Sequence, residues 1–387
     1  MKDFNVAIIS SLAGGLGHYV AHLAKPLSKL CGTVSYITYP QIDLSGTVVA
    51  EVTDPIVKKY IKSPRFDIIE EDPASIIKIS DFLDEKNINI INIHVATTIK
   101  KKILYFTTFI DYLRIVKGKK VILTLHDVLP FDEDNRLISL LMYFYSNADH
   151  LTVGNKFEEE KLVKHFNIPK GKISIVPHGI YDLFDKKKFT QTTAREYLDL
   201  PEDKKVILFF GFLREYKGFD YLIKAIDILK NKRSDFIVYV SSGTKYAPKD
   251  LAKKYKNEIR EKKLEQYFKM SLKYIDTREI EAVFKASDFS VLPYTHASQS
   301  GVAMLSLGFK RPVIITDIFE AKSWVNNRAG LITKAKSPED LARKIEILLN
   351  DKKLLEKLGN AGNRYATRNF PWEKIASKYY KIYQSII

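Results

Sequence analysis

The chain has 387 residues, of which 45% are hydrophobic and 12% aromatic, and it carries a net charge of +16. That length favours two domains, and the apolar content excludes a disordered chain. No run of about 18 uncharged apolar residues occurs, so no segment is expected to span a bilayer.

Cys31 is the single cysteine. It leaves no internal disulfide framework and fits a reducing compartment, which points to the cytoplasm. The N-terminus, MKDFNVAIISSLAGGLGHYV, pairs a lysine with an apolar run, but Asp3 and the glycine cluster before His18 argue against a cleaved leader. Charge is uneven: residues 1–190 hold 25 basic and 22 acidic side chains, the remainder 37 and 24. A basic balance suggests an anionic partner, whether nucleic acid, anionic lipid or a phosphorylated small molecule. No zinc spacing, RNP-like strand or recognition helix is present, so nucleic acid is not expected.

In chain order, Asn5–Ser10 reads as a strand, followed by a glycine-rich turn, Ser11–Gly17, and a helix over His18–Leu30. Gly14-Gly15-x-Gly17 is not GxGxxG, and Val34–Tyr39 offers no acidic ribose partner, so a dinucleotide site is not expected. Ile88–His94 and Val121–Leu125 are near-continuous apolar strands, the second ending at His126-Asp127. Helices between buried strands imply a parallel, doubly wound sheet whose ligand crevice lies beyond the strands' carboxyl ends. Gly14, Gly17, His18, His94, His126 and Asp127 all fall at that edge. The stretch Lys100–Lys120, with lysines at both ends and Tyr105, Phe106, Phe109, Ile110 and Tyr112 between, reads as a helix with one buried face. Docking of this stretch on anionic lipid is the alternative.

Ala148–Val153 and Ile173–Val176 complete the first set of strands. Tyr181–Lys205 is polar, lysine-rich and without sustained periodicity, so it reads as the connector between domains 1–185 and 186–387. The second half then repeats the pattern. Its central stretch is Val206–Leu222, VILFFGFLREYKGFDYL: a buried strand, a turn at Gly211, a loop holding Arg214 and Lys217, and a helix with apolar residues at helical spacing. A strand that ends in glycine and feeds a helix presents unpaired backbone N–H groups. Two fixed cations added there make a pocket for a phosphate or diphosphate. Strands follow at Phe236–Ser241, before Ser242-Gly243, at Phe289–Leu292, and at Pro312–Thr316, expected to be the last. Tyr294–Gly301 is a second strand-to-helix loop, where Ser298, Ser300 or Gly301 either caps the helix or accepts an anion.

These segments, in order, resemble a large family of retaining glycosyltransferases of GT-B fold (family 4, glycosyl transferases group 1). The likeness runs through Gly14-Gly15-Leu-Gly17, VILTLHD (121–127), ADHLTVGN (148–155), IVPHGI (175–180) and FFGFLREYKGFDYL (209–222). It continues through SDFSVLPY (287–294), SGVAMLSLGFKRPVIITD (300–317) and AGLI (329–332). The resemblance implies an α/β chain of two doubly wound Rossmann-like domains facing across a cleft, the last helix returning to the first domain. It implies a nucleotide-sugar donor held by the second domain, a glycan or lipid-linked acceptor held by the first, and no metal or other cofactor. Arg214 and Lys217 match the pair that grips the donor diphosphate. Ser300, Gly301 and Val302 match the helix start on the same phosphates, Gly15 the loop near donor and acceptor, and His126 the histidine that reaches the transferred sugar.

One departure stands out. Many members carry two glutamates eight positions apart around this loop, where this chain has Ala297 and Leu305, or Ser298 and Ser306 in the adjacent register. Ser298 and Gln299 are then candidates for the sugar, and Glu281 and Gly243 for the nucleotide. The expected activity is transfer of a hexose from a UDP- or GDP-sugar with retention, at the cytoplasmic face of a membrane or free of it. A sugar-nucleotide epimerase would isomerise the donor alone, and a non-catalytic subunit would bind nucleotide without transfer.

Overall fold

The computed structural model of the chain describes residues 4–11, 14–38, 41–42, 48–49, 54–61, 74–95, 103–128, 135–184, 186–244, 247–248, 250–296, 300–318, 322–326 and 328–387. The chain divides into two compact units, Met1–Gly179 with Phe370–Ile387, and Ile180–Asn369.

In the first unit, β1 (Asn5–Ser10), α1 (Gly14–Leu30) and β2 (Val34–Thr38) are followed by two short antiparallel strands, β3 (Gln41–Ile42) and β4 (Val48–Val49). Next come α2 (Pro55–Tyr60), α3 (Ala74–Glu85), β5 (Ile88–Val95), α4 (Ile103–Asp111), β6 (Lys120–Leu125), α5 (Asn135–Asn147), β7 (His150–Val153), α6 (Lys156–Phe166) and β8 (Ile173–Ile175). Six strands form one parallel sheet in the order β2-β1-β5-β6-β7-β8. Helices cover both faces of such a sheet, which is why VAII and VILTL run apolar without alternating. Every residue from Val6 to Ile9 and from Val121 to Leu123 is fully buried.

The second unit repeats the plan with α7 (Gln191–Tyr197), β9 (Lys205–Phe210), α8 (Phe219–Leu229), β10 (Phe236–Ser241), α9 (Leu251–Glu261), β11 (Phe268–Ser271), α10 (Ile280–Ala286) and β12 (Phe289–Leu292). It continues with α11 (Gly301–Gly308), β13 (Val313–Thr316), α12 (Lys322–Val325), β14 (Gly330–Thr333), α13 (Pro338–Asn350) and α14 (Lys352–Asn369). Its sheet is also parallel, ordered β11-β10-β9-β12-β13-β14. Both units are thus doubly wound α/β layers, as the strand and helix alternation implies.

α15 (Trp372–Ile386) belongs to the first unit. Its buried stripe of Trp372, Ile375, Ala376, Tyr379, Ile382 and Tyr383 packs against α1. The Tyr379 hydroxyl lies 3.0 Å from that of Tyr19, and Asn92 donates to the Tyr383 hydroxyl at 2.9 Å. Thr124 donates to Asn92 at 2.8 Å and Thr152 to Thr124 at 2.9 Å, so a ladder of satisfied polar groups crosses β5, β6 and β7.

The structure corrects several expectations. The glycine stretch opens the helix: α1 begins at Gly14, four residues earlier than expected, with Gly14 left-handed at φ 57 and Gly15 and Gly17 inside the helix, where packing against α15 outweighs glycine's poor propensity. The 181–205 stretch contains a helix, α7, started by a Thr190 and Thr193 capping box and anchored through the buried Arg195. Val313–Thr316 is not the last strand, since β14 pairs with it edge to edge. The aromatic helix after residue 102 ends in a π-type turn at Tyr112–Val116. It buries Ile103, Phe106, Phe109, Ile110 and Leu113 and exposes Leu104, Ile115 and Val116. Among the described residues no helix is long and apolar enough to cross a membrane.

Candidate active site

In the second unit the strand order reverses between β9 and β12. Loops leaving those two strands at their carboxyl ends diverge to opposite sides, which opens a crevice there. One loop is Gly211–Gly218; the other runs from Pro293 to the start of α11. Both glycines of the first loop take left-handed backbone, φ 107 at Gly211 and φ 68 at Gly218. At Gly218 a Cβ would lie 2.0 Å from the Pro293 carbonyl oxygen, so only glycine permits the two loops to meet. Thr295 N–H donates to the Tyr216 carbonyl at 2.7 Å, which pins them together.

Lys217 is carried into this junction and is 6% exposed. Its Nζ donates to the Phe210 carbonyl at 3.3 Å and stands 5.5 Å from the centre of the Tyr294 ring. Among the described residues it forms no ion pair. Burial first, and the neighbouring Arg214 guanidinium second, lower its pKa from 10.5 to about 7. Buried lysines ordinarily have a carboxylate beside them. Here a second cation stands there instead, an arrangement that an arriving anion relieves.

The start of α11 closes the same corner. Ser300 is its N-cap, accepting from Ala303 N–H at 3.2 Å, and it shares a hydrogen bond with the Tyr294 side chain. Gly301 and Val302 open the helix, and Val302 lies 3.7 Å from the point where a Gly211 Cβ would sit. Arg214, Lys217, Ser300, Gly301 and Val302 are therefore gathered on adjoining segments, and the N–H groups of Gly301 and Val302, which have no acceptor among the described residues, add to the two cations. Gly243, at the end of β10, accepts from Leu213 N–H at 3.0 Å, which brings it alongside. Glu281 is buried in α10 and accepts from Phe189 N–H at 3.1 Å. Ser298 and Gln299, like Ala297, lie outside the described residues. Leu305 is buried in α11, and Ser306 is bonded to Ser290 at 2.9 Å, so packed side chains fill the positions where a second glutamate was sought.

In the first unit the order reverses between β1 and β5. Gly14 has φ 57, and a Cβ on Gly14 or Gly15 would meet none of the described residues within 4 Å. Gly17 is buried in the same turn. His18, one turn further along α1, is engaged by its own partner: its Nε2 pairs with Asp54 at 2.6 Å, and Asp54 in turn caps α2.

His94, fully buried at the end of β5, holds its Nδ1 3.2 Å from Nε2 of His126, which follows β6. Desolvation, with His178 second, holds the His126 pKa down at about 3. Burial, with His126 second, drives His94 well below its ordinary value. Both rings are neutral near pH 7, so one donates and the other accepts. Tyr19 stacks edge-on against His126, His178 and Trp372, with ring centres 4.9, 5.2 and 4.8 Å away. Asp127 is half-buried beside them, and the next residue, Val128, donates its N–H to Glu158 at 2.9 Å.

Sequence reasoning did not single out His178, Tyr19, Trp372 or Tyr294. His178 had a usable signal, because it follows a strand end just as His126 does. The aromatic partners had none, since their placement depends on α15 packing on α1. Among the described residues no group of three or more His, Cys, Asp or Glu side chains is placed to hold a metal ion.

Residues 190–365 match the family model described as Glycosyl transferases group 1, and residues 13–182 match Glycosyltransferase Family 4. Each model matches a little under half of the chain, and together with the two parallel sheets they support a GT-B glycosyltransferase family. It is similar to the D-inositol 3-phosphate glycosyltransferase of Corynebacterium aurimucosum, 29% identical over 273 residues, covering 68% of this chain and 63% of the relative. It is also similar to an uncharacterized glycosyltransferase of Methanocaldococcus jannaschii, 22% identical over 262 residues, 66% of this chain and 65% of that one. In both cases the alignment spans less than two thirds of the relative. Among solved structures, Anabaena HepE in complex with UDP and glucose superposes with a TM-score of 0.77 over 99% of this chain and 100% of that one, at 14% identity.

Proposed function

We propose that this chain is a retaining, metal-independent glycosyltransferase that moves a hexose from a UDP- or GDP-sugar to a hydroxyl of a glycan or lipid-linked acceptor, in the synthesis of cell-surface polysaccharide or glycoconjugate. One observation carries the reading: a buried lysine and an arginine at a sheet switch point, with no carboxylate paired to the lysine among the described residues. A diphosphate supplies the missing negative charge, and its departure is where such cations act most strongly. Lys217 and Arg214 stabilise the leaving diphosphate, and the N–H groups opening α11 add hydrogen bonds to the same oxygens. Neutral His126, with its tautomer limited by His94, positions the transferred sugar by hydrogen bonding rather than by proton transfer. A donor phosphate oxygen takes the acceptor's proton on the face the diphosphate leaves. Gly14 and Gly15 let the acceptor approach the backbone closely. HepE was solved with UDP and glucose, which supports a nucleotide-sugar donor here. Exposed Leu104, Ile115 and Val116 beside Lys117 support contact with an anionic membrane surface, to be checked by sedimentation with anionic vesicles.

The test is transfer kinetics of Arg214→Ala and Lys217→Ala after a melting-point panel of UDP-, GDP- and ADP-sugars has selected the donor. Each substitution is expected to lower turnover about 100-fold, by loss of a transition-state charge partner. Unchanged kinetics in both variants would reject the proposal. A second reading, a nucleotide-sugar-binding subunit without activity, draws on the packed Leu305 and Ser306. It requires donor binding with no product under any acceptor.

A further inference from the structure

We propose a second anion site in the Ile180–Asn369 unit, at the opposite edge of the same sheet from the donor loops, built to take a phosphorylated small molecule of sugar-phosphate size. A cavity of about 440 Å³ opens there, where Lys205 begins β9, Asp288 precedes β12 and Pro312 precedes β13. Its other walls come from α7 and α14. Lys217 and Arg214 stand beyond the carboxyl ends of these strands, so the two sites share no residue.

The lining is unequal in charge. Arg195 is buried, and Arg311, Lys204 and Lys205 are half-buried, whereas Asp288 is the one carboxylate at comparable depth. Glu202, Asp203 and Glu356 also line the cavity but are exposed, where water screens them. Asp288 is already satisfied: it accepts from Arg195 at 2.8 Å and from Val206 N–H at 2.7 Å, with Lys205 at 3.6 Å. Four cations therefore face a single neutralised acid.

Arg311 is the most informative of them. Its Nε and Nη2 donate to the carbonyls of Phe284 and Lys285 at 2.9 and 2.8 Å, and among the described residues it makes no hydrogen bond to a carboxylate. Those two bonds fix the guanidinium plane and leave Nη1 with no acceptor among the described residues. Burial disfavours its charge most; nearby Asp288 favours it, and Arg195 disfavours it. A planar fork held rigid by backbone, with one nitrogen left over, is the geometry that recognises phosphate oxygens. The ammonium groups of Lys204 and Lys310, which make no hydrogen bond or ion pair among the described residues, add further charges around it. A dianion or higher matches this excess better than a single carboxylate does, and the volume leaves room for a sugar-sized body.

Inorganic pyrophosphate is the probe. Calorimetric titration uses the full chain carrying Arg214→Ala and Lys217→Met, so that the donor loop contributes nothing. Saturable binding and a raised melting point are expected to remain in that chain. Adding Lys204→Glu and Lys310→Glu, both at partially or fully exposed positions, should weaken binding about tenfold or more while the ligand-free melting point barely moves. In a chain with the donor loop intact, the same two glutamates should leave UDP-sugar binding unchanged. Absence of binding in the donor-loop variant overturns the proposal. So does binding that the two glutamates fail to weaken, and so does loss of UDP-sugar binding when they are present.

Discussion

Replacing Lys217 with methionine should stabilise the fold and abolish transfer together. The side chain is buried among Phe210, Tyr294 and Val302, and its ammonium is opposed by Arg214. The fall in its pKa from 10.5 to about 7 measures how much worse the charge fares in the folded chain. At about 1.4 kcal/mol per tenfold, that is a penalty on the order of 5 kcal/mol at pH 7. Methionine has a similar shape and no charge, but it forfeits the hydrogen bond to the Phe210 carbonyl, worth about 1 kcal/mol. A net gain of roughly 4 kcal/mol remains, equivalent to a rise of about 8 to 16 °C in the melting point of a domain of this size. The sign with pH follows from linkage. Between pH 7 and 10.5 the unfolded chain keeps a proton that the folded chain has released, so this residue's contribution makes stability climb with pH through that window. The methionine variant should lose that slope. Calorimetric melts at pH 7 and pH 9.5, with transfer assayed alongside, test both halves. A lower melting point in the variant, or retained transfer, would refute the claim that an uncompensated buried cation waits here for diphosphate.

The same pKa predicts that the wild-type chain binds donor more weakly as pH rises above 7, approaching tenfold per pH unit, with proton uptake on binding visible as a buffer-dependent heat; a flat profile to pH 9 would contradict it. His94→Phe removes the partner that limits the His126 tautomer, and turnover should fall about tenfold or more with donor KM little changed, whereas His94→Asn should restore part of the loss. Gly218→Ala forces a methyl against the Pro293 carbonyl at a left-handed position, so the second unit should lose at least ~1 kcal/mol and donor binding with it. Ser300→Ala deletes the cap of α11 and should cost about 1 kcal/mol, read as a melting point lower by several degrees.

The parts of the fold legible in the chain were those that bury themselves by local pattern. VILFF and VILTL are apolar over their whole length because both faces of a parallel strand are covered, and each lies within one residue of its expected bounds. Elements held by remote partners were not legible. α7 buries only Ala194 and Arg195, and Arg195 is fixed by Asp288 and the Ala286 carbonyl nearly a hundred residues away. β14 has four residues and exists as a strand because β13 offers it an edge. Three glycines near residue 14 speak locally for a turn; Gly14 does take left-handed backbone, while tertiary packing makes Gly15 and Gly17 helix.

The same division runs through the candidate site. That Arg214 and Lys217 follow a strand end is a local fact, and so is the hydroxyl-rich entry to α11. That Lys217 is buried is not local. It depends on Gly218 meeting Pro293 and on Thr295 bonding to Tyr216, contacts that span about 80 residues. Burial is also what changes the chemistry: an exposed lysine stays charged and hydrated, while this one titrates near neutrality beside an arginine. His126 shows the converse, since a histidine is ordinarily the group expected to titrate at pH 6 to 7. Enclosed with His94, His178 and Tyr19, it stays neutral across that range. Of these two groups, the one that responds to pH near neutrality is therefore the lysine, a conclusion that residue types alone would have reversed.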